Sequence, residues 1–348
     1  MPFLSAVSVA PASTSYTLPE ILVAAGSWLS GHPTQLELFE RFHRASRTAS
    51  RSYVISLDKI LELESQADRA AKFVEYGLPL ACKAVTGALE KAKLTPDQIG
   101  TVIFTSCTAP LIPTIDVLFM QHLGFSPSTR RIPMYQQGCA GGVVGMGLAS
   151  RLSASGENVL LVSVELCSLL FRLKESDAVH LLGSALFADG AAASVISPTE
   201  GSLRLVDSQS HLIPETVHLM GYELRDDGAH LRLDRELPSV LHGTFLSVLN
   251  DFLAKHSLRP DEVKRWIIHP GGVRILEGLS QLLELKPEQY SWSYDILSEV
   301  GNVSSATVQF VLEKCLAKES LETGEKVMMV GIGPGLTVEL ILFENAAR

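Results

Sequence analysis

YQQGCAGGVVGMGLASRLSAS, residues 135–155, is the stretch on which the reading of this chain turns. Gly138 before Cys139 and Gly141-Gly142 after it permit a sharp strand-to-helix turn with close backbone approach. The preceding RIPMY (131–135) reads as a short strand, and the run after Cys139 as a helix that begins with small residues. A thiol there feels the positive end of the helix dipole, so its pKa is expected to fall, as a nucleophile requires. Most cysteines are small buried hydrophobes, and that is the reading for Cys82 and Cys315 on helical faces. The glycine frame separates Cys139 from them.

Working outward, TVIFTS (101–106) and NVLLVSVEL (158–166) are apolar runs of strand length, with IDVLFMQHLGF (115–125) a helix between them. GAAASVIS (190–197) and SLRLVDSQS (202–210) read as further strands. Residues 17–95 read as mostly helical, closed by a cap or turn at Thr95-Pro96-Asp97. Beyond Pro238 the pattern is helical to about His256. WIIHP (266–270) is then a strand with His269 at its C-terminal end, and VRILEGLSQLLEL and SSATVQFVLEKCLAK are helices. KVMMVGIG and LTVELILF form a closing hairpin. The halves match in outline, with Cys139 and Asn302 each just before a helix. This predicts a duplicated α/β unit, divided as residues 1–205 and 206–348, with the site between the halves.

The 348 residues are 46% hydrophobic and 19% charged, with a net charge of −9, which describes a globular chain with a large core. That charge gives no broad reason to bind nucleic acid or an anionic membrane. Five cysteines with no C-x-x-C pair argue against zinc knuckles and a disulfide framework. No run reaches the roughly 18 apolar residues of a membrane span, and the N-terminal segment lacks a positive leader, so a cytoplasmic, soluble protein without a metal is expected.

Three further segments carry chemistry. His269, in WIIHPGG, stands at a strand C-terminus, where α/β sites gather; a satisfied, partly buried histidine is the plain alternative. Asn302, in SEVGNVSSA, is either a helix N-cap or, if Ser304 or Ser305 caps instead, a free amide. GIGPG (331–335) lies between strands, so it is a tight turn and not a dinucleotide fingerprint.

Together these segments resemble the chalcone synthase family, the type III polyketide synthases. YQQGCAGG resembles the nucleophile motif, and WIIHPGG, SEVGNVSSATVQFVL and GIGPGLTVE the histidine, asparagine and C-terminal loop motifs. The spacing also fits, 130 positions from Cys139 to His269 (269 − 139) and 33 to Asn302 (302 − 269). The resemblance implies a five-layered thiolase fold, a homodimer, and Cys139, His269 and Asn302 as the catalytic set. It implies malonyl-CoA and an acyl-CoA starter as substrates, no cofactor beyond these coenzyme A thioesters, and a small pyrone or phenolic product.

Carried over position by position, Phe187 in SALFADG matches the first gatekeeper, with a core aromatic as the alternative, and the second gate falls on Leu231. Arg41 and Arg44 match residues that grip the CoA phosphates, with a solvated helix face as the alternative. A third basic position aligns poorly, near Arg47 or Thr48. Cys167, Leu170, Tyr222 and Ser304 match cavity-wall positions. Cys167 with SCT (106–108) is similar to bacterial tetrahydroxynaphthalene-forming enzymes, whereas HLMGYELRDDGAHLRL (218–233) is similar to alkylpyrone and alkylresorcinol synthases. Two other readings stand beside this one, a single-condensation ketosynthase III-like enzyme and a non-catalytic thiolase-fold partner protein.

Overall fold

Strand periodicity divides the apolar side chains of this chain among three cores. The computed structural model describes residues 1–63, 65–108, 111–172, 177–226, 228–318 and 321–346. The first half contains strands β1 (Phe3–Pro11), β2 (Thr14–Thr17), β3 (Ser50–Tyr53), β4 (Ile99–Thr105), β5 (Arg130–Met134), β6 (Asn158–Leu166) and β7 (Asp189–Ser197). Its helices are α1 (Leu18–Trp28), α2 (Pro33–Ala45), α3 (Gln66–Ala92), α4 (Asp116–Leu123), α5 (Gly141–Ser153) and α6 (Ala178–Leu186). The second half contains β8 (Leu203–Leu212), the ribbon β9 (Met220–Arg225) and β10 (Gly228–Leu233), β11 (Arg265–Ile268), β12 (Lys326–Gly333) and β13 (Thr337–Asn345). Its helices are α7 (Leu237–Ala254), α8 (Val273–Leu282), α9 (Ser291–Glu299) and α10 (Thr307–Lys318).

Nine strands run in the order β11-β12-β13-β8-β1-β7-β6-β4-β5. The halves meet at β1 and β8, paired only at Phe3–Arg204 and Leu4–Leu203. On each side of that seam the pairing repeats. β4 and β6 are parallel, as are β11 and β12. The closing pairs β6–β7 and β12–β13 are antiparallel, and so are β7–β1 and β13–β8.

Successive side chains of a strand point to opposite faces. In β6, Leu160, Val162 and Val164 face a core shared with α3, while Val159 and Leu161 face one shared with α5 and α10. In β12, Val327 and Met329 join that same middle core, and Met328 and Val330 join a third, shared with α7 and α8. The layers are therefore helix, strands, helices, strands, helices, which is the five-layered arrangement expected.

The middle layer explains the small residues that follow Cys139. A Cβ added at Gly142 would stand 2.2 Å from the Ser305 carbonyl oxygen, so α5 passes the second half at backbone contact. Cys139 and Asn302 do hold matching places, just before α5 and α10 respectively.

Three features were absent from the sequence reading. β1 pairs with β7 along nearly its whole length. The span 17–95 contains β3, which pairs with β2, so it is not helical throughout. Residues 218–233 fold into the β9–β10 ribbon; Asp227, in the segment compared with alkylpyrone synthases, lies outside the described residues.

Candidate active site

Each half delivers its functional side chain from the end of an element beside the middle layer. Cys139 lies in a 3₁₀ turn, Gly138–Ala140, immediately ahead of α5. Gly138 has φ +51 and packs against Pro334 of the GIGPG loop, whose Cδ would be 2.7 Å from a Cβ there. Only glycine meets both demands without strain. His269 follows β11, held by its backbone N–H donating to Val330 O at 2.9 Å. Asn302 is held by a parallel bridge to Phe187: its N–H donates to Leu186 O (2.9 Å), and Ala188 N–H donates to Asn302 O (2.8 Å).

Asn302 makes the cap-type bond itself, and Ser304 and Ser305, the alternative caps, turn their hydroxyls to Cys139, Cys107 and Glu165 instead. Asn302 Oδ1 accepts from the Ser304 N–H (2.8 Å) and the Thr307 hydroxyl (3.2 Å). A backbone N–H can only donate, so this bond fixes the amide orientation and leaves the NH₂ as the unused donor. Ser304 itself adopts φ +46. Its hydroxyl lies 3.6 Å from Cys139 Sγ and 3.3 Å from Cys107 Sγ.

Burial pushes the Cys139 thiol up to about 12, with the Ser304 hydrogen bond opposing and Glu165 adding to the rise. This reverses the lowering expected from the helix N-terminus. The thiol is one turn ahead of α5, the formal charge that acts on it is negative, and loss of hydration outweighs the helix-end partial charge. Burial likewise draws His269 down to about 4, so its imidazole is neutral at pH 7. Among the described residues neither ring nitrogen has a hydrogen-bond partner, so Cys139 and His269 are not bonded to each other here.

Two chambers meet at this point. The outer one, about 570 Å³, is lined by Cys139, His269, Asn302, Phe187 and Arg41, among others. The inner one, about 410 Å³, is lined by Cys139, Phe187, Cys107, Cys167, Tyr222, Leu231 and Ser304, among others. Cys139, Phe187, Met220 and Leu233 line both. A larger groove, about 830 Å³, at the starts of β11 and β12 holds mainly charged side chains and none of these residues.

The geometry revises several sequence expectations. Leu231 sits in the inner chamber beside Phe187, with both side chains flanking Gly183. The passage itself is bordered by Met220 and Leu233, which are cross-strand partners in the ribbon. Residues 231 and 233 share a face of β10, and the shift of two positions moves the throat from one to the other. Leu170 lines neither chamber. It ends the 3₁₀ turn Cys167–Leu170, and only Cys167 reaches the wall.

Arg44 also lines neither chamber, and its guanidinium lies on the solvent face of α2, 3.9 Å from Glu40. Arg47 pairs with Glu277 at 2.8 Å. Arg235 and Arg274 join Arg41 in the outer chamber. Both were missed, although Arg274 stands one residue past the HPGGV turn. Glu165, a lone acid in an apolar strand, was also missed. It accepts from the Cys107 N–H and the Ser106, Thr108 and Ser305 hydroxyls, and so fixes the floor beneath Cys107.

Known proteins divide in the same way. A family model described as chalcone and stilbene synthases, N-terminal domain, matches residues 60–199, and its C-terminal counterpart matches residues 204–346. A 1,3,6,8-tetrahydroxynaphthalene synthase of Streptomyces peucetius subsp. caesius is 32% identical over 313 residues, covering 88% of this chain and 83% of that protein. The Streptomyces coelicolor enzyme of the same name is 30% identical over 329 residues, 94% of this chain and 87% of its own. The crystal structure of that synthase superposes with a TM-score of 0.94 at 30% identity, over 99% of this chain and 100% of the other. A fungal type III polyketide synthase, ORAS, at 23% identity and a TM-score of 0.90 over 99% of each chain, shares the fold. With both family domains present in order and the five-layered architecture intact, this chain belongs to the chalcone and stilbene synthase family and is a type III polyketide synthase with the thiolase fold.

Proposed function

We propose that Cys139 carries the acyl chain between the two chambers while His269 and Asn302 act on the CoA thioester in the outer one. The observation that carries this reading is the division of the linings. Cys139 borders both chambers, whereas His269 and Asn302 face only the outer. Sγ attacks the starter thioester as the neutral imidazole accepts its proton, and CoA leaves as the thiol. Malonyl-CoA then occupies the outer chamber. Its C–CO₂ bond breaks, and the electron pair becomes an enolate whose oxygen receives hydrogen bonds from His269 and the Asn302 NH₂. The enolate carbon attacks the Cys139 thioester and expels Sγ, so the lengthened chain is now on CoA. Return to Cys139 repeats the cycle, and the inner chamber receives the growing chain until it cyclises.

The starter and product are proposed as a linear or small acyl group and a small phenolic or α-pyrone. Tyr222 narrows the inner chamber, and the relatives named for a polyhydroxylated naphthalene support a phenolic made with a small starter. Incubation with malonyl-CoA and a panel of acyl-CoAs, read by mass spectrometry, tests this. A product carrying one C₂ unit only would instead support the single-condensation reading. A homodimer is proposed as well, since β5 ends the sheet with an open edge; light scattering at the mass of one chain would refute it.

Arg41, Arg235 and Arg274 are proposed to hold the CoA phosphates. A charge-assisted hydrogen bond contributes about 1.5–3 kcal/mol, so Arg41→Ala and Arg274→Ala should each raise KM for CoA thioesters about 10- to 100-fold while kcat changes little. Added salt should shrink the difference. Arg44→Ala should leave KM unchanged, and a KM shift equal to that of Arg41→Ala would return Arg44 to the site.

Chamber size is proposed to set chain length, since every condensation uses the same chemistry and extension stops when the space is filled. Tyr222→Gly should admit bulkier starters or further extensions, and Leu233→Ala should widen the throat more than Leu231→Ala does. Product masses across several starters check both. An unaltered profile in Tyr222→Gly would mean that its ring does not limit the chain, and equal profiles in the two leucine variants would remove Leu233 from the throat.

A further inference from the structure

Arg51 is a fully buried cation that the reaction as described does not use. It stands in β3, and no acidic side chain pairs with it among the described residues. Its Nη2 donates to Ser46 Oγ at 3.0 Å, just past α2, and to Ala185 O in the last turn of α6. Nε and Nη1 have no partner among the described residues. The nearby His43 supplies no counter-charge. Its Nδ1 is hydrogen-bonded to Phe39 O, and burial together with the Arg51 charge draws it down to about 3, so it is neutral.

A cation in this place is offset only by dipoles, chiefly the carbonyl at the negative end of α6. Such a group is poor for stability, because an apolar side chain of similar volume often serves a core as well or better. What it does provide is direction. Its surroundings show what that direction fixes. Ser52 N–H, beside Arg51, donates to Val300 O (3.4 Å), Ala49 N–H to Ser298 O (2.9 Å), and the Ser50 hydroxyl to Glu299 O (2.7 Å). The arm that ends in Asn302 is therefore strung along β3. The end of α6 that Arg51 grips continues directly into Phe187, which forms the bridge with Asn302. A Cβ at Gly301, between arm and bridge, would stand 3.5 Å from Arg51 Cγ.

We infer that Arg51 is a positioning residue for condensation: by tying α2 and the end of α6 to β3, it sets the Phe187–Asn302 bridge, and with it both the gate and the amide that faces the CoA thioester. This rests on the reading of Asn302 as a donor to the enolate oxygen. Ser46 also lines the outer chamber, so one guanidinium joins the chamber wall, the gate and the amide.

The test compares Arg51→Met, Arg51→Lys and Ser46→Ala, each corrected for active fraction by titrating Cys139 with an alkylating agent. In Arg51→Met, kcat for malonyl-CoA decarboxylation should fall about 10- to 100-fold with KM changed less than about three-fold, since donor geometry is lost and binding is not. Product masses should shift too, because Phe187 moves with Asn302. Arg51→Lys keeps a cationic donor and should recover most of kcat, though not the full two-point grip. If Arg51→Met does not fold, Ser46→Ala decides with the same readouts, and a lower kcat at unchanged KM supports the inference. A folded Arg51→Met or Ser46→Ala with wild-type kcat and product masses overturns it. So does a loss that vanishes after correction for active fraction, or a folded Arg51→Lys as slow as Arg51→Met. Asn302→Asp separates the two readings. Wild-type decarboxylation in that variant removes the oxyanion role itself, whereas a slow Asn302→Asp beside a fast Arg51→Met removes only the role of Arg51.

Discussion

Cys139→Ala should abolish polyketide formation while leaving malonyl-CoA decarboxylation measurable. The first half follows from covalent chemistry. Without Sγ there is no acyl-enzyme, and removing a nucleophile that acts as a unit with its partners costs about 10⁴–10⁶ in kcat. The second half follows from the linings of the chambers. The groups proposed to stabilise the enolate, His269 and Asn302, lie in the outer chamber and do not depend on the thiol for their positions. His269 is hung from Val330 and Asn302 from Leu186. Alanine keeps the Cβ and disturbs neither Gly138 nor α5, so the melting temperature should be close to wild type. Evolution of CO₂ from malonyl-CoA with no extended product by mass spectrometry is the expected pair of results. Extension at a rate near wild type would end the acyl-Cys139 mechanism, and loss of CO₂ release in a folded variant would mean that the chambers are not independent in the way proposed.

The second large effect is expected at Asn302. Loss of one oxyanion donor costs about 10²–10³ in rate, and CO₂ release should fall by that factor. Asn302→Ala would also strip the acceptor that holds Ser304 N–H and the Thr307 hydroxyl, which mixes chemistry with local folding. Asn302→Asp keeps a carbonyl-type oxygen for both bonds, removes the NH₂ donors and puts a negative charge where the enolate oxygen would sit, so it acts on the chemistry while sparing the local fold. His269→Ala should produce a loss of similar size. Because the two residues donate to one oxygen, the double variant should be far less than multiplicatively worse. Unchanged decarboxylation in Asn302→Asp would falsify the assignment of the amide.

The three residues proposed as catalytic stood out in the sequence because each carries a backbone constraint that shows as residue type. Cys139 needs glycine at 138 for a left-handed turn against Pro334 and at 142 for contact with the Ser305 carbonyl. His269 follows an apolar strand, and Asn302 precedes the 3₁₀ turn Ser304–Ala306 and α10, its Oδ1 accepting from the Ser304 N–H. The duplicated α/β unit was legible for a similar reason, whereas the five layers came only with the family resemblance. Long apolar runs such as NVLLVSVEL have two buried faces, and a helix that opens with glycines can lie between two sheets.

Other features depend on where separate elements meet. Leu233, and not Leu231, lines both chambers because the two-stranded ribbon sets it opposite Met220. Arg274 and Arg235 come to the outer chamber from elements distant in sequence from Arg41, while Arg44, three residues from Arg41, turns to solvent on the same helix. The thiol pKa moved against the helix-end rule because enclosure by the whole fold, absent from any local motif, removes its hydration. Arg51 looks like any surface arginine in SRSY; only packing of α2, β3 and α6 around it makes it a buried cation. Sequence alone thus determined the family, through four motifs, and a duplicated α/β unit, through strand and helix period, and it singled out the three residues proposed as catalytic by their backbone contexts. Tertiary structure decided the chamber walls, the arginines gathered in the outer chamber and the charge states, since these arise from desolvation and from side chains brought together across long loops.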